Sequence, residues 1–152
     1  MQLTRDAGDG NLWVLDGVGT LRRTGRVSRA ATADAGGARW QIVRHGWVRP
    51  GFAATDAATG AVVGELPGRW LGRGERLRWS ERDLVLRGDG GDGYELLDGE
   101  RRLAVLTPRR AGRRPLDIVV EAPGVDAGLL LFTAFVVQAY SDDASFPAPT
   151  PD

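Results

Sequence analysis

The amino-acid sequence predicts an all-β domain with one helix, a closed antiparallel β-barrel of roughly 10–12 strands around a buried C-terminal hydrophobic helix. Two observations lead to this fold class. The 22 Gly and 8 Pro of the 152 residues are scattered at short intervals, as in a chain with many turns. Residues 126–140 begin with an Asp and are then apolar apart from Thr133 and Gln138. A helix that is apolar on every side must be enclosed by protein or by lipid.

Protein is the better candidate for enclosing this helix. The apolar run is shorter than the roughly 18 to 20 residues that a membrane span needs, and Asp142 and Asp143 follow it at once. We therefore expect no transmembrane segment, a helix over about 126–140 wrapped by sheet, and Asp126 as its N-cap. The predicted organisation is a flexible N-terminus at 1–10, one barrel domain at 11–141 and a disordered Pro-rich tail at 142–152.

The strands are predicted from alternating apolar positions and from the turns between them. Asp16-Gly17 after an apolar run is a strong hairpin signal, and Asp98-Gly99 is a second one. In residues 39–44, Trp40, Ile42 and Arg44 alternate onto one face. The predicted strands, in order, lie at 11–15, 39–44, 47–55, 61–66, 77–79, 84–86, 94–97, 103–106 and 116–122.

Barrel closure is expected because hairpins of this kind cannot bury their own apolar faces, and a closed sheet has no free edges. Four of the five Trp residues occupy strand positions and are expected in the core, the alternative being that they stack on a ligand. Trp70, in a Gly-rich segment at 68–72, is expected to be exposed and is the candidate residue for a protein contact.

Composition excludes several kinds of site. There is no Cys, so thiolate nucleophiles, disulfides and thiolate metal sites are absent, and a single His rules out His-rich metal sites. The 20 acidic and 20 basic residues balance, which gives no overall attraction for nucleic acid. The first ten residues contain no apolar leader, so we expect a cytoplasmic protein without a secretory signal. The sequence predicts no cofactor and no metal.

Arginine clusters are the main candidate binding residues, and the chain contains no Lys. If two of these segments lie at the same rim of the barrel, they can hold phosphate through bidentate hydrogen bonds. The alternative is that they are solvated loops in a chain that uses Arg as its only basic residue. The densest cluster is Arg109, Arg110, Arg113 and Arg114, and the second is Arg69, Arg73, Arg76 and Arg78.

Three further motifs have both a functional and a structural interpretation. Residues 89–95 contain clustered carboxylates suited to calcium, but their spacing is not that of an EF-hand, and a hairpin loop is the preferred interpretation. His45 has no indicated Ser or Asp partner and is interpreted as a turn residue. Glu95, Asp98 and Glu100 are candidates for acid–base chemistry only if the fold pairs them.

Residues 94–106, 116–120 and 125–135 together resemble the C-terminal half of the tubby C-terminal-like superfamily, which includes LURP-one-related proteins and phospholipid scramblases. The shared pattern is a hairpin with Asp-Gly at its turn, a strand and a final hydrophobic helix. The resemblance implies a closed antiparallel barrel threaded by that helix, in a bacterial member of unassigned function. It implies binding at membranes or to phosphoinositides, as in some members. It assigns no functional residue here.

The function predicted from these observations is a non-catalytic binding module that recognises an anionic ligand or lipid surface through its Arg-rich loops, with a peripheral position at a membrane as one consequence. The alternative hypothesis is a protein-interaction or scaffold domain without a small-molecule ligand. A third is an enzyme with an unrecognised carboxylate site.

Overall fold

The described part of the chain forms twelve strands and one helix in a computed structural model. The structure describes residues 1–24, 30–45, 51–67, 74–91, 93–108 and 116–145, with only the backbone described for 142–145. The elements are β1 (Gln2–Arg5), β2 (Leu12–Leu15), β3 (Gly19–Arg23), β4 (Ala30–Ala35), β5 (Ala38–His45), β6 (Gly51–Asp56), β7 (Val62–Leu66), β8 (Glu75–Trp79), β9 (Arg82–Gly88), β10 (Tyr94–Asp98), β11 (Arg101–Pro108), β12 (Leu116–Val120) and α1 (Ala127–Ser145).

The sheet is a closed barrel in which each strand pairs antiparallel with its neighbours in sequence. Closure is made by β1, which lies between β12 and β2 with Leu3 opposite both Leu116 and Leu15. The predicted all-β barrel with one C-terminal helix is confirmed. Residues 1–10 were expected to be a flexible N-terminus, whereas four of them form the closing strand. This strand was hard to predict because it has four residues and only one of them, Leu3, has a buried side chain.

Two more strands, β3 and β4, are missing from the strands expected from sequence. Their buried, inward-facing residues include Leu21, Ala31 and Ala33. Two of these three are alanines, so the alternation of apolar and polar residues in the sequence is weak. The reason for small residues is the position of α1, which passes closest to β3, β4 and β11. Close approach of a helix to a sheet leaves no room for large side chains between them.

Aromatic side chains fill the barrel on the other side of the helix. Phe52 packs edge-on against Phe135 with ring centroids 5.9 Å apart, and Trp79 packs against Phe132 at 5.6 Å. Trp79 also contacts Trp40 at 6.3 Å. Trp13 and Trp79 are buried and Trp40 is partly buried, as expected for core residues. Trp47 and Trp70 lie outside the described residues.

The helix is enclosed because it has no polar face. Every residue from Leu129 to Val137 is buried, and the one polar side chain in that stretch, Thr133, donates its hydroxyl to the carbonyl of Leu129 at 2.9 Å. Asp126 caps the N-terminus, since its Oδ1 accepts a hydrogen bond of 2.8 Å from the amide of Leu129. The helix continues beyond the expected end near 140, so the segment expected as a tail from 142 begins in helix. Residues 146–152 lie outside the described residues.

Candidate functional site

Strand direction divides the connections of the barrel between its two ends. The odd-numbered strands all finish at one end of the barrel, called here the long-loop end, and the even-numbered strands begin there. The connections between these strand ends are 6–11, 24–29, 46–50, 67–74, 89–93 and 109–115. The other end, the tight-turn end, has the short connections at 16–18, 36–37, 57–61, 80–81 and 99–100, and the helix enters the barrel there. The helix leaves at the long-loop end, where Tyr140 packs against Phe52 and Tyr94.

The predicted arginine clusters belong to connections whose flanking strand ends lie at the same end of the barrel. Segment 67–74 joins Leu66 to Glu75, and segment 109–115 joins Pro108 to Leu116, all at the long-loop end. Among the predicted binding residues, Arg76 and Arg78 are described, and both side chains are exposed on β8. The others lie outside the described residues: Arg69, Trp70, Arg73, Arg109, Arg110, Arg113 and Arg114.

Four of the six connections that follow odd-numbered strands contain Arg and no acidic residue. Segments 24–29 and 46–50 have the same composition as the two segments identified from sequence. The remaining two, at 6–11 and 89–93, carry Asp instead. The connections at the tight-turn end contain no Arg. The Arg residues of the four basic connections are Arg26, Arg29, Arg49, Arg69, Arg73, Arg109, Arg110, Arg113 and Arg114.

Two partly buried arginines, Arg23 and Arg44, face the barrel interior at the long-loop end. Arg23 is two residues after the buried Leu21, and Arg44 is two residues after the buried Ile42, so strand alternation turns both inward. The guanidinium carbon of Arg23 lies 5.2 Å from the ring centroid of Trp13. That of Arg44 lies 5.8 Å from the ring centroid of Phe52. Each guanidinium is therefore held over an aromatic face.

Sequence reasoning assigned no binding role to either arginine. The signal for Arg44 was its alternation with Trp40 and Ile42, which was recognised only as a strand pattern. The signal for Arg23 was lost because β3 was not predicted. Its strand offers a single buried apolar side chain, Leu21, and therefore little periodicity.

The indole of Trp13 contributes an unused hydrogen-bond donor to the same wall. Trp13 is 5% exposed, and its Nε1 is buried with no hydrogen-bond partner. Buried donors without a partner are rare because losing water without replacement costs about 1–3 kcal/mol. Trp13 lies on the strand next to that of Arg23, since Trp13 pairs with Leu21 across β2 and β3.

A second polar group at the long-loop end joins α1 to the strand wall. The hydroxyl of Tyr140 donates a hydrogen bond of 2.5 Å to Oε2 of Glu75, the first residue of β8. Burial raises the pKa of Glu75, and the hydrogen bond from Tyr140 partly opposes that rise. Burial raises the pKa of Tyr94, and the charge of Glu75 adds to the rise. Burial also raises the pKa of Tyr140 far above its ordinary range.

The other candidate motifs are occupied by structural interactions. Oδ1 of Asp89 accepts hydrogen bonds from the amides of Gly91 and Gly93 at 2.8 and 3.2 Å, as expected for a hairpin loop. Glu95 is paired with Arg87 at 2.6 Å, and Asp98 is paired with Arg82 at 3.2 Å. Among the described side chains, no three His, Cys, Asp or Glu residues are grouped to hold a metal ion.

Comparison with protein-family models, with curated proteins and with solved structures finds no match to this chain. Within the described residues, no helix is long and apolar enough to cross a membrane.

Proposed function

We propose that this protein is a non-catalytic binding module that recognises a phosphate-bearing ligand or an anionic lipid surface at the long-loop end of its barrel. The observation that carries the proposal is the direction of the strands. Leu66, Glu75, Pro108 and Leu116 share one end of the barrel, and the segments between them contain the two arginine clusters. Planar guanidinium groups bind phosphate oxygens in bidentate fashion.

The distribution of charge supports the same proposal. The chain has no formal net charge, so any positive region must be balanced by acidic residues elsewhere. The turns at the tight-turn end contain acidic residues and no Arg, and Glu81 and Glu100 are exposed on them. Separation of charge along the barrel axis orients an approaching anion toward the long-loop end, over a range of about 8–10 Å at physiological salt.

A non-catalytic role is supported by the ion pairs that two of the candidate acid–base residues form. Glu95 and Asp98 each form an ion pair with Arg, and Glu95 also lies 3.6 Å from Arg102. Both oxygens of the Glu95 carboxylate are thus engaged by arginine side chains.

The experiment that tests this function is co-sedimentation with phosphatidylcholine vesicles, with and without phosphatidic acid, at low and at physiological salt. Binding should require the anionic lipid and weaken as salt increases. Changing Arg109, Arg110, Arg113 and Arg114 to Gln should abolish most of it. Titration with soluble inorganic phosphate separates the two ligand sources, since a soluble-ligand site binds phosphate without a membrane.

A matched control distinguishes a local site from loss of total charge. Arg113→Gln with Arg114→Gln removes two charges from a connection whose flanking strand ends lie at the long-loop end, whereas Arg39→Gln with Arg101→Gln removes two exposed charges at the tight-turn end. We expect only the first pair to weaken binding. Equal weakening by both pairs would contradict a localised site. Absence of binding to either probe at low salt would overturn the proposed function and favour the protein-interaction alternative.

A further inference from the structure

We propose that the acidic C-terminal end of α1 is an autoinhibitory element that competes with anionic ligands for the arginines of the four basic connections. This inference rests on the proposed function and adds the regulation of its site. The last turn of α1 contains Asp142 and Asp143 and no basic residue. The helix therefore carries two acidic residues toward the end of the barrel at which the strands flanking the basic connections finish and begin.

The contacts of Tyr140 fix the place where the helix leaves the barrel. Its ring packs against Phe52 and Tyr94 with centroid distances of 5.9 and 5.8 Å. Its hydroxyl donates a hydrogen bond of 2.5 Å to Glu75. These three partners are the first or second residues of β6, β8 and β10, and two of those strands follow basic connections. Tyr140 therefore lies at the level where two basic connections join the barrel wall.

The helix continues past Tyr140 in the same direction. Its backbone is helical as far as Ser145, and a rise of about 1.5 Å per residue carries its last residue about 7 Å beyond Tyr140 along the helix axis. Asp143 is three residues after Tyr140, so its position is on the side of the helix on which Tyr140 meets the first residue of β8. The connection that precedes β8, at 67–74, is one of the basic ones.

Two acidic residues in the last turn are unfavourable for the helix itself. The C-terminus of a helix carries partial negative charge from its unpaired carbonyl groups, and nearby cations stabilise it. In α1 the last turn adds two negative charges to that end instead. A local choice that opposes helix stability is retained where another part of the fold compensates for it. The arginines of the basic connections are the positive charge that the sequence provides for this purpose.

Competition follows because the same arginines cannot attract α1 and a ligand to the full extent at once. A phosphate that binds there is repelled by the two Asp residues and by the carbonyl end of the helix. The Arg residues of the basic connections outnumber the two Asp residues, so binding is weakened and not abolished. The end of α1 therefore sets a threshold, and a surface with a high density of negative charge is favoured over a sparsely charged one.

The test is co-sedimentation of the full chain with phosphatidylcholine vesicles that contain increasing fractions of phosphatidic acid. Asp142→Asn with Asp143→Asn should bind half-maximally at a lower fraction of phosphatidic acid than the native protein. At low salt and a fixed fraction, its affinity should be about threefold higher or more, as expected for removal of two like charges near the ligand. The difference should shrink as salt increases, because the repulsion is screened.

Two matched variants separate this effect from total charge and from side-chain loss. Glu81→Gln with Glu100→Gln also removes two negative charges, but from exposed turns at the tight-turn end, and should leave the midpoint unchanged. Asp142→Glu with Asp143→Glu keeps both charges and should bind as the native protein does. Thermal denaturation confirms that each variant is folded.

The outcomes distinguish this inference from the proposed function. If the native protein binds anionic vesicles and the Asn variant has the same midpoint, the autoinhibitory role is wrong and the proposed function stands. An equal shift in the tight-turn control, or in the variant that keeps both charges, leads to the same conclusion. If neither the native protein nor the Asn variant binds at low salt, both are overturned.

Discussion

The hydroxyl of Tyr140 donates a hydrogen bond of 2.5 Å to Oε2 of Glu75, and the two residues are 65 positions apart in the chain. This bond ties the C-terminal part of the helix to the first residue of β8. Glu75 is 7% exposed. Burying a carboxyl group at the end of an apolar core lowers the free energy of unfolding unless the group is neutral or hydrogen-bonded. The stability of this end of the barrel should therefore depend on the protonation of Glu75 and on its hydrogen bond from Tyr140.

Glu75 is expected to make stability depend on pH. Burial raises its folded-state pKa above the ordinary value of 4.5. The stability that it contributes is therefore complete at pH values below 4.5 and is lost as the pH rises through the folded-state pKa. Glu75→Gln keeps an acceptor for Tyr140 without a charge, so its melting temperature relative to the native protein should be higher at pH 8 than at pH 4, by several degrees. Thermal denaturation from pH 4 to 8 checks this.

Glu100→Gln is the matched control for Glu75→Gln, because Glu100 is exposed on the β10–β11 turn. Its relative melting temperature should change little over the same pH range. A Glu75→Gln protein that is destabilised equally at every pH would contradict the expected linkage.

Tyr140→Phe should destabilise the protein at neutral pH by about 1–3 kcal/mol, because it leaves the Glu75 carboxyl without its donor. Tyr94→Phe is the matched control. The ring of Tyr94 packs against Tyr140 at 5.8 Å, but its hydroxyl makes no hydrogen bond to another described residue. Its removal should cost less. Urea unfolding of both variants measures the difference, and equal losses would show that the Tyr140 hydroxyl is unimportant.

The same tyrosine predicts a loss of stability in alkali. Burial, and then the hydrogen bond to Glu75, raise the pKa of Tyr140 above its ordinary value of 10.0. Stability from this group is complete below pH 10 and is lost as the pH rises toward the folded-state pKa. The slope of the unfolding free energy against pH above 10 should be smaller in Tyr140→Phe. If the slope is unchanged, the loss of stability above pH 10 comes from the ionisation of other groups.

The sequence was sufficient to predict the barrel and its helix, for reasons visible in particular residues. A helix that is apolar from Leu129 to Val137 requires a surrounding wall, and the Asp-Gly turns at 16–17 and 98–99 indicate hairpins. The strands β3 and β4 were missed because the position of the helix requires small residues at Ala31 and Ala33, and small residues give weak periodicity.

The candidate site was less predictable because it depends on closure of the barrel. The two arginine clusters are separated by many residues, and only the strand directions show that their flanking strands share an end. The inward position of Arg23 depends on β3. The pairing of Glu75 with Tyr140 depends on where the helix ends inside the barrel, which no local pattern encodes.

Asp126 is expected to be the most important polar residue at the tight-turn end, because its two carboxylate oxygens have different roles. Oδ1 caps the helix at Leu129, and Oδ2 accepts a hydrogen bond of 3.1 Å from the Trp79 indole. Asp126→Ala loses the cap and leaves a buried indole N–H without an acceptor. We expect a loss of about 2–4 kcal/mol in urea unfolding.

Asp126→Asn is the informative comparison, since its amide oxygen can accept only one of these hydrogen bonds well while Asn remains a good N-cap. It should lose less than half as much stability as Asp126→Ala. In Trp79→Phe, which has no indole N–H, the cost of Asp126→Ala should fall by about 1 kcal/mol because the second role is already gone. An undiminished cost would mean that only the cap contributes.

Gly128→Ala is expected to destabilise the protein even though Ala favours helices over Gly by about 1 kcal/mol. A Cβ atom at this position would lie 2.6 Å from the Trp79 ring and 2.7 Å from the Trp40 ring. Trp79 is 3% exposed and cannot move away without displacing the core. Overpacking of this kind costs about 1–3 kcal/mol, so we expect a net loss of about 1–2 kcal/mol in chemical unfolding.

Two controls isolate the steric cause of that loss. Gly88→Ala places a Cβ where no atom lies within 4 Å, and it should not show the loss. Trp40→Phe removes one of the two rings that the new methyl group meets, so Gly128→Ala should cost less in that background than in the native protein, with a coupling of at least about 0.5 kcal/mol. Additive effects of the two changes would show that the Trp40 ring does not obstruct a side chain at position 128. The requirement for glycine would then not come from passage of the first helical turn between the two Trp rings.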